Sequence, residues 1–234
     1  MPKEPSTPPR REPPLDRLYR LLFDHYGPQH WWPAEGPFEM MVGAILTQNT
    51  AWRNVARAID GLRSAGLLDP AALLDADEAR LEQLIRPAGY FRQKAARLRR
   101  LAAFVRAQGG VERMRAVDGA RMRRMLLALN GVGPETADSI LLYALDHPFF
   151  VIDAYTVRLL SRLGWVAPTV GYAPLQALFQ RGLPRDVALF QEFHALIVAH
   201  AKAYCRKRAH CAGCPLVGPL ACEEGARHQA TSAG

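Results

Sequence analysis

A chain of 234 residues that is 49% hydrophobic can bury one large core or two small ones, which excludes a wholly disordered protein. Its formal charge of +8 and pI near 9.7 favour a polyanionic partner such as nucleic acid. No run approaches the roughly 20 apolar residues of a membrane span, and Met1-Pro2-Lys3-Glu4-Pro5 lacks the apolar stretch of a signal peptide, so a cytoplasmic, nucleoid-associated protein is expected.

Residues 1–14 are proline-rich and basic, which predicts a disordered tail. From Leu15 onward the helical period takes over. Leu18, Leu21 and Leu22 share one face, followed by Phe38, Met41, Val42, Ile45 and Leu46, then by Val55, Ile59 and Leu62. Gly66, Pro70, Pro87-Ala88-Gly89 and Gly109-Gly110 separate successive helices. His30-Trp31-Trp32-Pro33 precedes the Phe38 helix, and Leu46-Thr47-Gln48-Asn49-Thr50-Ala51-Trp52 ends it, so three of the four tryptophans fall close together. Such aromatics either plug a gap in a core or build the wall of a pocket. Arginine is dense from Arg92 to Arg124, at spacings that point several ways around a helix, so only some of these side chains can meet one partner surface. The β-branched run Phe149-Phe150-Val151-Ile152 is too short and isolated for a sheet, and the fold expected is all-α.

Arg121 to Leu129 is helical in period, Asn130 and Gly131 stop it, and Pro134 suits the first position of the next helix. Gly131 and Gly133 permit positive φ and leave room for a close backbone approach, so the amides around Gly131, Val132 and Gly133 can grip a phosphate without reading sequence. A plain tight turn has the same local pattern. Asp153, in Val151-Ile152-Asp153-Ala154-Tyr155, stands where a helix cap would, and the same carboxylate can serve chemistry. Cys205, Cys211, Cys214 and Cys222, spaced Cys-x5-Cys-x2-Cys-x7-Cys, are poorly placed to staple the chain through disulfides and have the pattern of metal ligands. Spacing alone does not separate zinc from a [4Fe–4S] cluster.

Taken in order, Leu129 to Ala137, Val151 to Arg158 and the terminal cysteines resemble the endonuclease III branch of the helix-hairpin-helix DNA glycosylases, a likeness running from about Leu15 to Cys222. The resemblance implies two helical lobes with a cleft between them. One is a six-helix barrel over about residues 29–147 that ends in the hairpin (about 121–145). The other is an iron–sulfur domain built from 15–28 and 148–225, with a flexible tail over 226–234. It also implies that Asp153 is the catalytic aspartate, that Gln48 fills the gap left by a flipped nucleotide with Asn49 beside it, and that the four cysteines hold a [4Fe–4S] cluster. The outer two cysteine intervals depart from the family's usual ones.

Glu135 occupies the position of the nucleophilic lysine of the bifunctional members. Glutamate cannot form a Schiff base, and the other lysines are only Lys3, Lys94, Lys202 and Lys207. A monofunctional enzyme is therefore expected, with AP lyase activity weak or absent and Glu135 complementing the helix dipole. Trp-Trp-Pro followed by Leu-Thr-Gln-Asn-Thr resembles the 3-methyladenine glycosylase subgroup, which makes Trp31, Trp32, Pro33 and Trp52 the expected base pocket. The expected partner is double-stranded DNA containing a damaged base, approached by a monomer; oxidised pyrimidines are the alternative substrate class, and a catalytically weak damage-binding protein the alternative of another kind.

Overall fold

The computed structural model describes residues 13–232; most of the predicted N-terminal tail and residues 233–234 lie outside them. Every regular element among the described residues is helical, as the periodicity predicts. In chain order the helices are α1 (Leu15–Tyr26), α2 (Pro37–Leu46), α3 (Trp52–Ser64), α4 (Pro70–Asp75), α5 (Glu78–Ile85), a 3-10 turn at Arg86–Ala88, α6 (Phe91–Ala107), α7 (Val111–Arg115) and α8 (Gly119–Leu127). They continue with α9 (Pro134–Tyr143), α10 (Ala154–Arg162), α11 (Tyr172–Gly182), α12 (Val187–Ala203) and α13 (Glu223–Ser232).

Packing divides the chain into two units. One comprises residues 29–153 and 185–195. Its centre is α2, which buries every residue from Phe38 to Leu46 and packs on α3, α6 and α9. The helix begins at Gly36-Pro37, where proline loses no intrahelical hydrogen bond. On α3, Val55, Ala58, Ile59 and Leu62 form the buried stripe at helical spacing, each leucine-sized side chain contributing on the order of 2 kcal/mol. Acidic caps start α4, α5 and α8: Asp69 accepts from the amides of Ala71 and Ala72, Asp77 from Arg80 and Asp118 from Arg121. Six of the eight helices from α2 to α9 have eight residues or more, with α4 and α7 as short connectors.

The other unit gathers, among the described residues, 13–28, 154–184 and 196–232. Leu15, Leu18 and Leu22 of α1, Leu159 and Leu160 of α10, and Leu175 and Phe179 of α11 are buried in it. Gly182 lets α11 approach α1, since a Cβ there would stand 3.1 Å from Leu15 Cδ1.

Two boundaries differ from those expected. Residues 148–153 and 185–195 pack with the hairpin-bearing unit, because the Phe150 ring lies edge-on against Phe190 at 5.3 Å and Phe193 at 5.8 Å. Residues 226–232, expected as a tail, are helical and continue α13, which opens with Glu223 and Glu224 and pairs Arg227 to Glu224 at 2.8 Å.

Candidate active site and cysteine cavity

The hairpin forms between α8 and α9. Gly131 has φ +92°, a conformation that a side chain would strain, whereas Gly133 is extended and has open space where a Cβ would be. Only the first glycine is therefore needed for the turn; the second leaves the backbone uncovered. Val132 is buried, and its amide donates to Leu129 O at 3.0 Å. Arg123 of α8 grips the fully buried Asp138 of α9 through two hydrogen bonds of 2.6 and 3.0 Å, fixing the angle between the helices.

Gln48 is tied to this hairpin. Its Nε2 donates to Gly131 O and to Thr136 Oγ1, both at 2.9 Å, while its Oε1 accepts from Arg97 at 2.5 Å. Both amide hydrogens and the carbonyl are thus engaged on protein groups. Asn49, by contrast, is exposed and left-handed at φ +54°. Beneath the loop, Lys94 is buried and donates to Leu46 O and Ala88 O, each at 2.8 Å. Burial, aided by the nearby Arg97 charge, lowers its pKa to about 8.

The tryptophans converge. Trp31 and Trp32 lie 5.1 Å apart between ring centroids, and Trp52 packs on them at 4.8 and 5.3 Å. Gly43 lets Trp32 lie against α2, since a Cβ there would be 3.2 Å from the indole. Trp31 and Trp32 line a cavity of about 200 Å³ together with Met40, Arg115, Tyr143 and Gln191. Pro33 and Trp52 are not among its lining residues: Pro33 is exposed, and Trp52 supports the other two rings from behind. Arg115 is balanced by Glu112 at 3.0 Å and Asp146 at 3.3 Å.

A polar line leads from this cavity to Asp153. Tyr143, 5.7 Å from Trp32, shares a 2.7 Å hydrogen bond with His194 Nδ1 and donates to Gln191 O at 3.2 Å. His194 Nε2 stands 3.5 Å from Asp153 Oδ2, and both side chains are largely buried. Burial, then the negative charges of Asp153 and Glu192, hold the Tyr143 phenol well above its ordinary pKa, so it remains a donor. Glu135 is exposed on the first turn of α9, yet its pKa is raised by partial desolvation and by Asp153, with His194 opposing. The sequence reading missed Tyr143, His194 and Arg115. A signal for His194 was present, because it sits among Phe190, Phe193 and Ile197 on a face where the helical period demands apolar residues.

In the other unit, Cys205, Cys211, Cys214 and Cys222 line one largely apolar cavity with Leu159, Tyr204 and His200. The donor set fits a thiolate-bound centre. The amides of Leu216 and Val217 reach Cys214, and Arg162 stands against Cys205. Burial and mutual proximity raise the pKa values of Cys205, Cys211 and Cys214, so loading a metal must expel their protons. Among the described residues no three His, Cys, Asp or Glu side chains converge closely enough to hold a single metal ion. His200 Nε2 lies 3.7 Å from Cys214 Sγ, and Tyr26 OH is 3.0 Å from His200 Nδ1. Burial, reinforced by His25, lowers the His200 pKa to about 4, so the ring is neutral. No helix among the described residues is long and apolar enough to cross a membrane.

Comparison with known proteins connects these features. The family model for HhH-GPD superfamily base excision DNA repair proteins matches residues 42–185, which span Trp52, the hairpin and Asp153. A Methanocaldococcus jannaschii protein provisionally named a DNA repair glycosylase is 49% identical over 86% of this chain and 92% of its own length. A 3-methyladenine DNA glycosylase of H. pylori, solved with 1,N6-ethenoadenine, superposes with a TM-score of 0.71 at 27% identity, covering 81% of this chain and 97% of that one. Endonuclease III in a non-covalent DNA complex gives a TM-score of 0.77 at 21% identity over 93% and 98% of the two chains, a likeness of fold. The fold expected from the motifs is therefore the one observed, and the chain belongs to the HhH-GPD superfamily of base excision DNA repair glycosylases.

Proposed function

We propose that this protein is a monofunctional glycosylase that flips a damaged base from double-stranded DNA and removes it by hydrolysis, with alkylated purines such as 3-methyladenine as substrates. The observation that carries the reading is the pairing of Asp153 with a glutamate at position 135. Breaking the base–sugar bond builds positive charge on the sugar, which an anionic Asp153 stabilises while orienting the attacking water. Glu135, sharing the field of that carboxylate, supplies no amine for a covalent adduct. Trp31 and Trp32 offer faces on which a cationic alkylated base stacks, at about 0.5–2 kcal/mol per contact. The base is already a good leaving group, so hydrolysis needs little acid assistance. The H. pylori relative, solved with a modified adenine, supports the same substrate class.

Gly131 and Gly133 would hold a phosphate, Val132 anchoring the turn through its bond to Leu129 O, with Asn49 reaching toward the orphaned base and Gln48 bracing the hairpin. The four cysteines would hold a [4Fe–4S] cluster, which supplies a structural anchor for its loop; zinc, the alternative occupant, would require the thiols to draw together around one ion. Purified protein with broad absorbance near 400 nm supports the cluster, and a colourless protein carrying one zinc overturns it. We place the enzyme in the cytoplasm, at the nucleoid, as a monomer.

A second reading is favoured by Arg115. A guanidinium on the cavity wall suits a neutral base with carbonyl oxygens, which is the chemistry of oxidised pyrimidines. One assay separates these readings: duplexes carrying methylated purines or oxidised pyrimidines, incubated with enzyme and then treated or not with alkali. Strand breaks on the methylated duplex that appear only after alkali are expected. Breaks without alkali, or a covalent adduct trapped by borohydride, would overturn the monofunctional assignment, and no excision of any lesion would make the protein a damage binder.

A further inference from the structure

We propose that His194 is the positioning residue for Asp153, donating its Nε2–H to the carboxylate, and that Tyr143 sets the protonation of the ring from the cavity side. This rests on the assignment of Asp153 as the catalytic carboxylate. Nε2 of His194 is buried without a hydrogen bond of normal geometry, and across 3.5 Å it faces Asp153 Oδ2. A bare nitrogen lone pair there would oppose a carboxylate, so Nε2 carries the proton.

The other ring nitrogen permits this in two ways. The Tyr143 hydroxyl has one hydrogen and two acceptors in reach, His194 Nδ1 at 2.7 Å and Gln191 O at 3.2 Å. When it donates to Nδ1, the ring is neutral with its proton on Nε2. When it swings to Gln191 O, Nδ1 becomes a donor to the phenol oxygen and the ring is an imidazolium. Rotation of one hydroxyl therefore lets His194 gain or lose a proton while always presenting Nε2–H to Asp153. Tyr143 lines the cavity, so the occupant of the cavity and the charge beside Asp153 meet at a single phenol.

The test uses the full chain with 15N-labelled histidine, the resonance of His194 among the seven histidines being assigned by its loss in His194→Gln. In the wild type Nε2 is expected to carry the proton at neutral pH, and in Asp153→Asn the Nε2 resonance is expected to shift as its charged partner is lost. A neutral ring protonated on Nδ1 with a bare Nε2 would overturn the proposal. Single-turnover excision from methylated duplex gives the second arm. His194→Ala is expected to slow excision about 100-fold with affinity for an abasic-analogue duplex within about twofold, and His194→Gln, whose amide can donate from a similar place, to recover most of the rate. Loss of the donor also moves the acid limb of the rate profile to higher pH. Glu135, Glu192 and Tyr143 share the field around the site, so the shift is read against Glu135→Gln and Tyr143→Phe. Wild-type rate in His194→Ala beside an inactive Asp153→Asn sinks the role of His194 and leaves Asp153 standing; full rate in Asp153→Asn removes both.

Discussion

Helix α12 carries two buried histidines one and two-thirds turns apart, and each has a tyrosine hydroxyl on Nδ1: Tyr143 at 2.7 Å for His194 and Tyr26 at 3.0 Å for His200. The pairs differ in what lies beyond Nε2. His194 faces a carboxylate in the hairpin-bearing unit, whereas His200 faces the Cys214 sulfur in the cysteine-bearing unit. A carboxylate supports a positive ring; an apolar pocket with a thiol does not, and His200 is held neutral by burial. The same two residue types thus make a chargeable device in one place and a fixed strut in the other, and the neighbours decide which.

The largest effect should come from removing the charge beyond Nε2. Asp153→Asn is expected to lower single-turnover excision about 1,000-fold while leaving abasic-duplex affinity and any absorbance near 400 nm unchanged. The mirror experiment is His200→Phe. It removes the ring nitrogens that face the Tyr26 hydroxyl and the Cys214 sulfur, at a cost of about 2 kcal/mol in denaturant unfolding, with excision at saturating enzyme within about twofold. If His200→Phe impaired excision as strongly as His194→Ala, the contrast between device and strut would fail. Tyr143→Phe and Tyr26→Phe should each cost about 1 kcal/mol, but only the former should alter the pH dependence of excision.

Glu135→Gln should give the smallest change. The folded-state pKa of Glu135 is raised, so its charged form is penalised on folding, and the penalty is absent once pH falls below the ordinary carboxylate range. The glutamine variant should therefore be slightly more stable than wild type near neutrality, with the gap closing on acidification, as thermal melts across pH would show.

What was legible in the sequence was local. The hairpin, with its glycines and proline in a nine-residue stretch, and the Trp31-Trp32 pair with Trp52 one helix away declared themselves because their meaning lies in nearby spacing. The Tyr143–His194 bond joins positions 51 apart, and no periodicity links a residue at the end of α9 to one on α12. Gln48 shows the same limit. Its position matched a motif, but its hydrogen bonds to Gly131, Thr136 and Arg97 depend on how α2 meets the hairpin. The arginine run was ambiguous for a related reason: Arg123 grips Asp138 and Arg99 donates to Leu74 O, while composition sees only positive charge. The boundary at 148–153 was misplaced because an apolar extended run does not say which helix will cover it.

Lys94 has a consequence for the solution in which the protein is handled. Its folded-state pKa of about 8 lies below the ordinary lysine value of 10.5, so the unfolded chain binds the extra proton across that interval and folding gains from each step toward alkaline pH. The two carbonyls it serves need two N–H donors, which a neutral amine still has. The joint beneath the Gln48 loop can therefore shed its charge without losing a bond, and Lys94 contributes tolerance of mild alkali where most buried ion pairs would contribute fragility.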